Sequence, residues 1–239
     1  MVGVQANREQ AHPESTTDEN SLHHANPDPR NWLYHFLQTC LQLTMPVYFC
    51  FRARGLEHVP KQGPALFVAN HQSFLDPVMV GIPLSRPLRF LARDTLFRQP
   101  LIGAFLRKVY TIPVNRDAAS STTIRTAASQ LRQGFFIGIF PEGTRSTDGE
   151  LGTLKPGFIA LIRRADAPII PVGVAGSGAA FPRGAWFFRP KKCRVVYGPP
   201  LQPEMLAQLK GHGSEQALLA VVREAMQRCY EEARAWQSR

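Results

Sequence analysis

The sequence predicts a single α/β domain with a mixed, largely parallel sheet flanked by helices, preceded by an amphipathic N-terminal helical segment. Three observations carry this. From residue 64 onward, short apolar and β-branched runs alternate with stretches of helical spacing. Turn and capping residues punctuate the alternation. The chain of 239 residues is long enough for one substantial core, and no internal repeat or heptad pattern suggests another architecture.

Each element has its own justification. Residues 1–30 are polar, with almost no large apolar side chains, and are expected to form a disordered tail. Residues 31–54 form the next unit. Asn31, His35, Gln38 and Gln42 recur at spacings of four, three and four, which makes one polar stripe on a helix. Leu33, Phe36, Leu37, Leu41 and Met45 occupy the other face, flanked by Trp32, Tyr34 and Tyr48. Pro46 is expected to kink or end this helix. A polar stripe with aromatic flanks predicts a helix lying in a membrane interface, not crossing it, with Arg52 and Arg54 near lipid headgroups. A helix packed on its own domain is the competing reading.

The body of the domain is expected over residues 55–239. Strands are predicted at 64–69, 88–92, 109–114, 135–140, 168–174 and 193–198. Asp76-Pro77 reads as an N-cap followed by proline at the first helical position, opening a helix through about Leu84. Further helices are predicted over 98–108, over 118–133 with Gly134 just past the end, and from Pro156 to Arg164. The last helix, Ser214 to Trp236, spaces Leu218, Val222, Ala225, Met226 and Cys229 along one face.

Composition narrows the function classes. The net charge is +10, yet residues 1–30 carry a net −3, so +13 remains on the rest. Such a surplus suits an anionic partner: a membrane surface, a phosphorylated substrate or an acidic carrier protein. Nucleic acid is not expected, because the basic residues are dispersed and no recognised motif accompanies them. The first 30 residues are polar and acidic and show no apolar core of a secretory signal. Cys40, Cys50, Cys193 and Cys229 are scattered without metal-ligand spacing and are expected to be reduced thiols; no metal is predicted.

The chemistry concentrates at predicted strand ends. After the apolar run Pro64–Ala69 comes Asn70-His71-Gln72-Ser73-Phe74-Leu75-Asp76. Histidine is the natural general base near neutral pH, and a carboxylate can hold it in one tautomer. On a regular helix two residues five apart point about 140° from one another. A His71 in the loop after the strand can instead fold back onto Asp76. Ser73 lacks the G-x-S-x-G context of a nucleophile. The strand ending at Phe140 runs into Pro141-Glu142-Gly143-Thr144-Arg145-Ser146, where a guanidinium and nearby donors suit a phosphate. Tyr110–Val114 leads to Asn115-Arg116, and Ile170–Val174 leads to Ala175-Gly176-Ser177. Convergence of these loops would make a site for an anionic, hydroxyl-bearing substrate.

These four stretches, in this order, resemble the four blocks of the glycerolipid acyltransferases, and among them the 1-acylglycerol-3-phosphate O-acyltransferase (lysophosphatidic acid acyltransferase) family. The resemblance covers roughly residues 50–200. In the second block, Tyr110–Asn115 stands where members often carry a glycine and an aromatic residue before the arginine. The resemblance implies that His71 is the general base and that Asp76 orients it. Arg116, Glu142, Gly143, Thr144 and Arg145 would hold the glycerol phosphate, with Arg93 and Lys155 as further phosphate candidates or plain solvated cations. It implies transfer of an acyl group from acyl-CoA or acyl-ACP to lysophosphatidic acid, giving phosphatidic acid. The acyl thioester would be a substrate and no cofactor would be needed. The implied location is the cytoplasmic face of the cell membrane, with an anionic membrane surface and acyl carrier protein as partners. Two other readings stand beside it: an acyltransferase for another lysolipid (a lysophospholipid, lyso-ornithine lipid or glycolipid), and a non-catalytic lipid-binding protein.

Overall fold

In a computed structural model, residues 32–114, 121–164, 166–207 and 215–239 are described. The polar segment 1–30 and Arg116 lie outside the described residues. The order is α1 (Trp32–Tyr48), β1 (Arg52–Arg54), β2 (Ala65–Ala69), α2 (Asp76–Gly81), β3 (Leu88–Arg93), α3 (Pro100–Lys108), β4 (Ile112–Val114), α4 (Ser121–Arg132), β5 (Phe136–Ile139), α5 (Ile159–Arg164), β6 (Ile169–Ala175), α6 (Ser177–Ala180), β7 (Arg194–Tyr197), α7 (Pro203–Ala207) and α8 (Glu215–Gln237). Each of the six predicted strands forms. The sequence reading missed β1, α6 and α7, elements of three to five residues whose periodicity is too short to register.

The seven strands lie in the order β1-β7-β6-β2-β5-β3-β4. β6, β2, β5, β3 and β4 run parallel, so their carboxyl ends share one edge. β7 is antiparallel to β6 and parallel to β1. Arg52 therefore belongs to the sheet, three residues before the expected boundary of the domain. Alternate strand residues face opposite layers, as the pleat requires. Leu66, Val68, Ile137 and Ile169 pack under α4, α5 and α8. Ala65, Phe67, Phe136 and Ile170 pack on the other face, with Met45 of α1 and Met79 of α2. Gly134 adopts φ 84° just after α4. Its amide bonds Leu131 O at 2.8 Å, and the Phe135 amide bonds Gln130 O at 3.2 Å, a left-handed cap that favours glycine.

Helix α1 departs from expectation in two ways. It continues past Pro46 to Tyr48. Two residues of its polar stripe also reach inward, while His35 stays exposed. Gln38 donates to Ile82 O at 3.1 Å and Leu84 O at 2.8 Å, and Gln42 donates to Ile82 O at 2.9 Å. The glutamines satisfy carbonyls at the end of α2, which otherwise lack intrahelical partners. The apolar residues are divided: Met45 is buried and Leu41 packs against the core, whereas Trp32, Phe36, Leu43 and Val47 are 58–81% exposed. Their spacings of four, seven and four keep them on one side of the helix. Among the described residues no helix is long and apolar enough to cross a membrane.

Candidate active site

The site is built where β2 ends. Asn70 leaves the strand but stays paired to β6 through its side chain. Its Nδ2 donates to Val174 O at 2.9 Å and its Oδ1 accepts from the Val174 amide at 2.7 Å. A buried amide thus closes the ladder where the backbone turns away, leaving neither group unsatisfied. The next residue, His71, enters the loop at the shared strand edge.

The chain then folds back. His71 Nδ1 lies 2.8 Å from Asp76 Oδ2. A carboxylate only accepts, so Nδ1 carries the proton and Nε2 keeps its lone pair. The same Oδ2 accepts from the amides of Gln72 at 2.6 Å and Ser73 at 2.7 Å. Asp76 is fully buried, and its Oδ1 has no protein hydrogen-bond partner. The sequence reading made Asp76 the N-cap of α2; in the structure Leu75 is the cap and the helix starts at Asp76. The carboxylate instead closes the preceding turn, and this reversal is what brings it to the imidazole. Phe140 stacks on the His71 ring at 4.1 Å and 15°, and Phe90 stacks on Phe140 in turn. The His71 side chain remains 17% exposed, and the residue lines a cavity of about 910 Å³.

The loop after β5 clamps the histidine from behind. Glu142, 4% exposed, accepts the His71 amide on Oε1 at 2.8 Å and the Gly152 amide on Oε2 at 3.0 Å. Ser146 donates its amide to His71 O at 2.7 Å. Burial raises the Glu142 pKa, and the two amide bonds oppose that rise. Both carboxylate oxygens are engaged by backbone, so Glu142 does not sit as a phosphate ligand would. Gly143 has φ 69°, and a Cβ there would come within 2.8 Å of Lys155 Cε. Lys155 packs across Gly143 and is not among the cavity's lining residues. Ser73, fully buried, donates to Phe181 O at 2.9 Å and is occupied structurally.

Gly143, Thr144 and Arg145 line the cavity with His71. Arg145 lies 3.9 Å over the Phe74 ring. Burial first, and then the neighbouring Arg183 guanidinium, lower its pKa. Arg183, which also lines the cavity, was not anticipated. It lies in Phe181-Pro182-Arg183-Gly184, which belongs to none of the four blocks, so nothing in the linear pattern marks it. Arg93 ends β3 at the same edge, in register with Val114. Most of the remaining lining is apolar: Leu41 of α1, Val78 of α2, Leu91 of β3 and Phe105 and Leu106 of α3 contribute walls. Burial pushes the Cys193 thiol up to about 12 and the Cys229 thiol up to about 11, so neither is poised as a nucleophile. Among the described residues, no three His, Cys, Asp or Glu side chains group as a metal site.

A carboxylate-held histidine, free at Nε2 and facing a largely apolar cavity with two guanidiniums, defines a class: enzymes that activate a substrate hydroxyl for transfer of an apolar group. Comparison with known proteins makes this specific. Residues 50–175 match the Acyltransferase family model, and the chain belongs to that family. The 1-acyl-sn-glycerol-3-phosphate acyltransferase of Bacillus subtilis is 26% identical over 200 residues, covering 83% of this chain and 96% of the relative. The chloroplastic 1-acyl-sn-glycerol-3-phosphate acyltransferase LPAT1 of Arabidopsis thaliana is 30% identical over 163 residues, covering 66% of this chain and 46% of the relative. The crystal structure of the 1-acyl-sn-glycerophosphate acyltransferase PlsC from Thermotoga maritima superposes with a TM-score of 0.68 at 26% identity, over 84% of this chain and 81% of that one.

Proposed function

We propose that this acyltransferase moves a fatty acyl group from an acyl thioester to the sn-2 hydroxyl of 1-acylglycerol-3-phosphate, giving phosphatidic acid. The observation that carries the reading is the Asp76-held His71 at the junction of an apolar cavity and the Arg145–Arg183 pair. His71 Nε2 takes the hydroxyl proton as the oxygen attacks the thioester carbonyl. Asp76 stabilises the imidazolium that forms. The tetrahedral intermediate collapses, the C–S bond breaks, and the departing thiolate of coenzyme A or acyl carrier protein takes the proton back from His71. The acyl chain lies in the apolar cavity, and Arg145 meets the acceptor phosphate as a planar fork. Product formation from lysophosphatidic acid, measured with acyl-CoA and acyl-ACP in parallel, tests this. No transfer from either donor sinks the proposal.

The acceptor phosphate supplies a sharper test. Arg145→Ala and Arg183→Ala are each expected to raise KM for lysophosphatidic acid about tenfold or more, as loss of a charge-assisted hydrogen bond predicts. KM for an uncharged lysoglycolipid should barely move. Equal losses on both acceptors would assign the arginines to loop structure.

We infer that the reaction takes place at a membrane surface, on its cytoplasmic face. The outward side of α1 supports this: four large apolar side chains on one face are more than a helix in water ordinarily shows. Replacing Trp32, Phe36, Leu43 and Val47 together by serine should weaken vesicle flotation at least tenfold while leaving the unfolding midpoint close to wild type. Unchanged flotation would remove α1 as the anchor.

A further inference from the structure

A second cavity, of about 560 Å³, opens at the same sheet edge. Arg52, Arg54, Lys192, Arg194 and Arg239 line it, with Trp236 as a wall. Register places Arg52 beside Arg194, and Arg194 beside Ala175 at the carboxyl end of β6. Strands lie about 4.8 Å apart, so the Arg52 side of the cavity stands roughly 14 Å along the edge from the strand that carries His71.

The charges there are poorly compensated. Glu232 approaches Arg54 at 3.9 Å, but both side chains are about half exposed, and such pairs contribute little. Arg52, Lys192 and Arg239 make no ion pair with the described residues. Arg194 is 6% exposed. It donates to the carbonyls of Cys50 and Cys193, while its Nε has no partner. Burial, and then Arg52, weaken its hold on its proton. A buried guanidinium among like charges is costly without an anion, and a bound anion offsets that cost.

The surroundings indicate which anion. Pro46 forms part of the wall, and the neighbouring Val47 is 81% exposed. Tyr48 donates its hydroxyl to Phe188 O at 2.9 Å, tying α1 to the loop before β7. At that loop's tip Trp186 is 91% and Phe187 83% exposed, and Arg189, Lys191 and Lys192 follow. An aromatic tip on a basic base suits a lipid interface, with rings among the acyl chains and cations among the headgroups.

We propose that this cavity binds the headgroup phosphate of an anionic phospholipid, with Trp186 and Phe187 entering the acyl layer beside it. The inference rests on the reading of the chain as an enzyme working at a membrane surface. It adds a docking site apart from the catalytic one.

The test uses the full chain and vesicles of phosphatidylcholine, with and without phosphatidylglycerol. Wild type should float better with the anionic vesicles. Arg52→Ser with Lys192→Ser should bind them about thirtyfold more weakly, the effect of two interfacial cations. Trp186→Ser with Phe187→Ser should weaken binding to both vesicle types. Lys61→Ser with Arg132→Ser removes the same net charge from exposed positions at the opposite sheet edge, and should change binding far less. Equal losses in the two charge variants would reduce the effect to net charge and overturn the site. Coenzyme A binding that Arg52→Ser and Lys192→Ser abolish, with flotation unaffected, would overturn the lipid assignment. Acyl transfer to detergent-dispersed acceptor reports separately on His71. Its loss in wild type would fault the catalytic reading, and flotation would still judge the docking site.

Discussion

His71→Ala is expected to lower kcat for acyl transfer by roughly 10²–10⁴-fold, the usual range for a positioned general base, with KM little changed. The fold should survive. The ring is partly exposed and its main structural contact is the stack on Phe140, whereas the loop is held through the His71 backbone by Glu142 and Ser146. Alanine keeps both backbone bonds. It leaves Asp76 Oδ2 with two amide donors, so the buried carboxylate is not stranded. Asp76→Asn makes an informative partner. A carboxamide oxygen can occupy the Oδ2 position and accept the same three hydrogen bonds, with its amino group falling where Oδ1 now has no partner. That variant keeps the tautomer but loses the charge facing the imidazolium. A loss of about 10²-fold in kcat is expected, smaller than for His71→Ala. A His71→Ala enzyme with full kcat would end the mechanism. A fully active Asp76→Asn enzyme would show that geometry alone matters.

Much of this arrangement can be read from the chain, and the limits have physical reasons. The central strands are continuous apolar runs because they are buried on both faces; β2, β5 and β6 are legible for that reason. Their parallel direction follows from the helices between them, and the shared edge then collects His71, Glu142 and the loop after β6. The orientation of α1 was not legible. Periodicity identified two faces, but the side that meets the domain takes residues from both. Gln38 and Gln42 reach carbonyls beyond α2 while Leu41 and Met45 pack on the core, so polar and apolar residues both meet the domain. The N-cap reading of Asp76 found the right residue and the wrong turn, because an Asp-Pro pair signals a helix start whichever way the carboxylate points. Arg183 and Arg194 owe their placement to loop closure and strand pairing at long range, which local patterns do not encode.

Glu142 is where sequence expectation and geometry diverge most, and its variants are expected to be nearly as damaging as those of His71. The resemblance assigns it to the acceptor phosphate, yet each carboxylate oxygen accepts a backbone amide, one of them from His71 itself. Glu142→Ala strands two donors in a nearly closed site. A stability loss of about 2–5 kcal/mol is expected from two unsatisfied buried amides, with kcat falling about 10²-fold as His71 loses its backing. Glu142→Gln is not conservative here. One carboxamide oxygen serves one amide, and the amino group confronts the other donor. Glutamine should therefore lose nearly as much kcat as alanine, with KM for the acceptor almost unchanged. Burial raises the carboxyl's pKa, so the folded chain holds this proton more tightly than the unfolded one. The group's titration thus favours the folded state below the ordinary carboxylate range, and that contribution fades as pH rises through the raised value. The stability advantage of wild type over Glu142→Gln should accordingly shrink as pH rises across that window. Chemical denaturation at several pH values measures it. A Glu142→Gln enzyme with normal kcat, normal stability and a raised acceptor KM would return the residue to direct substrate contact.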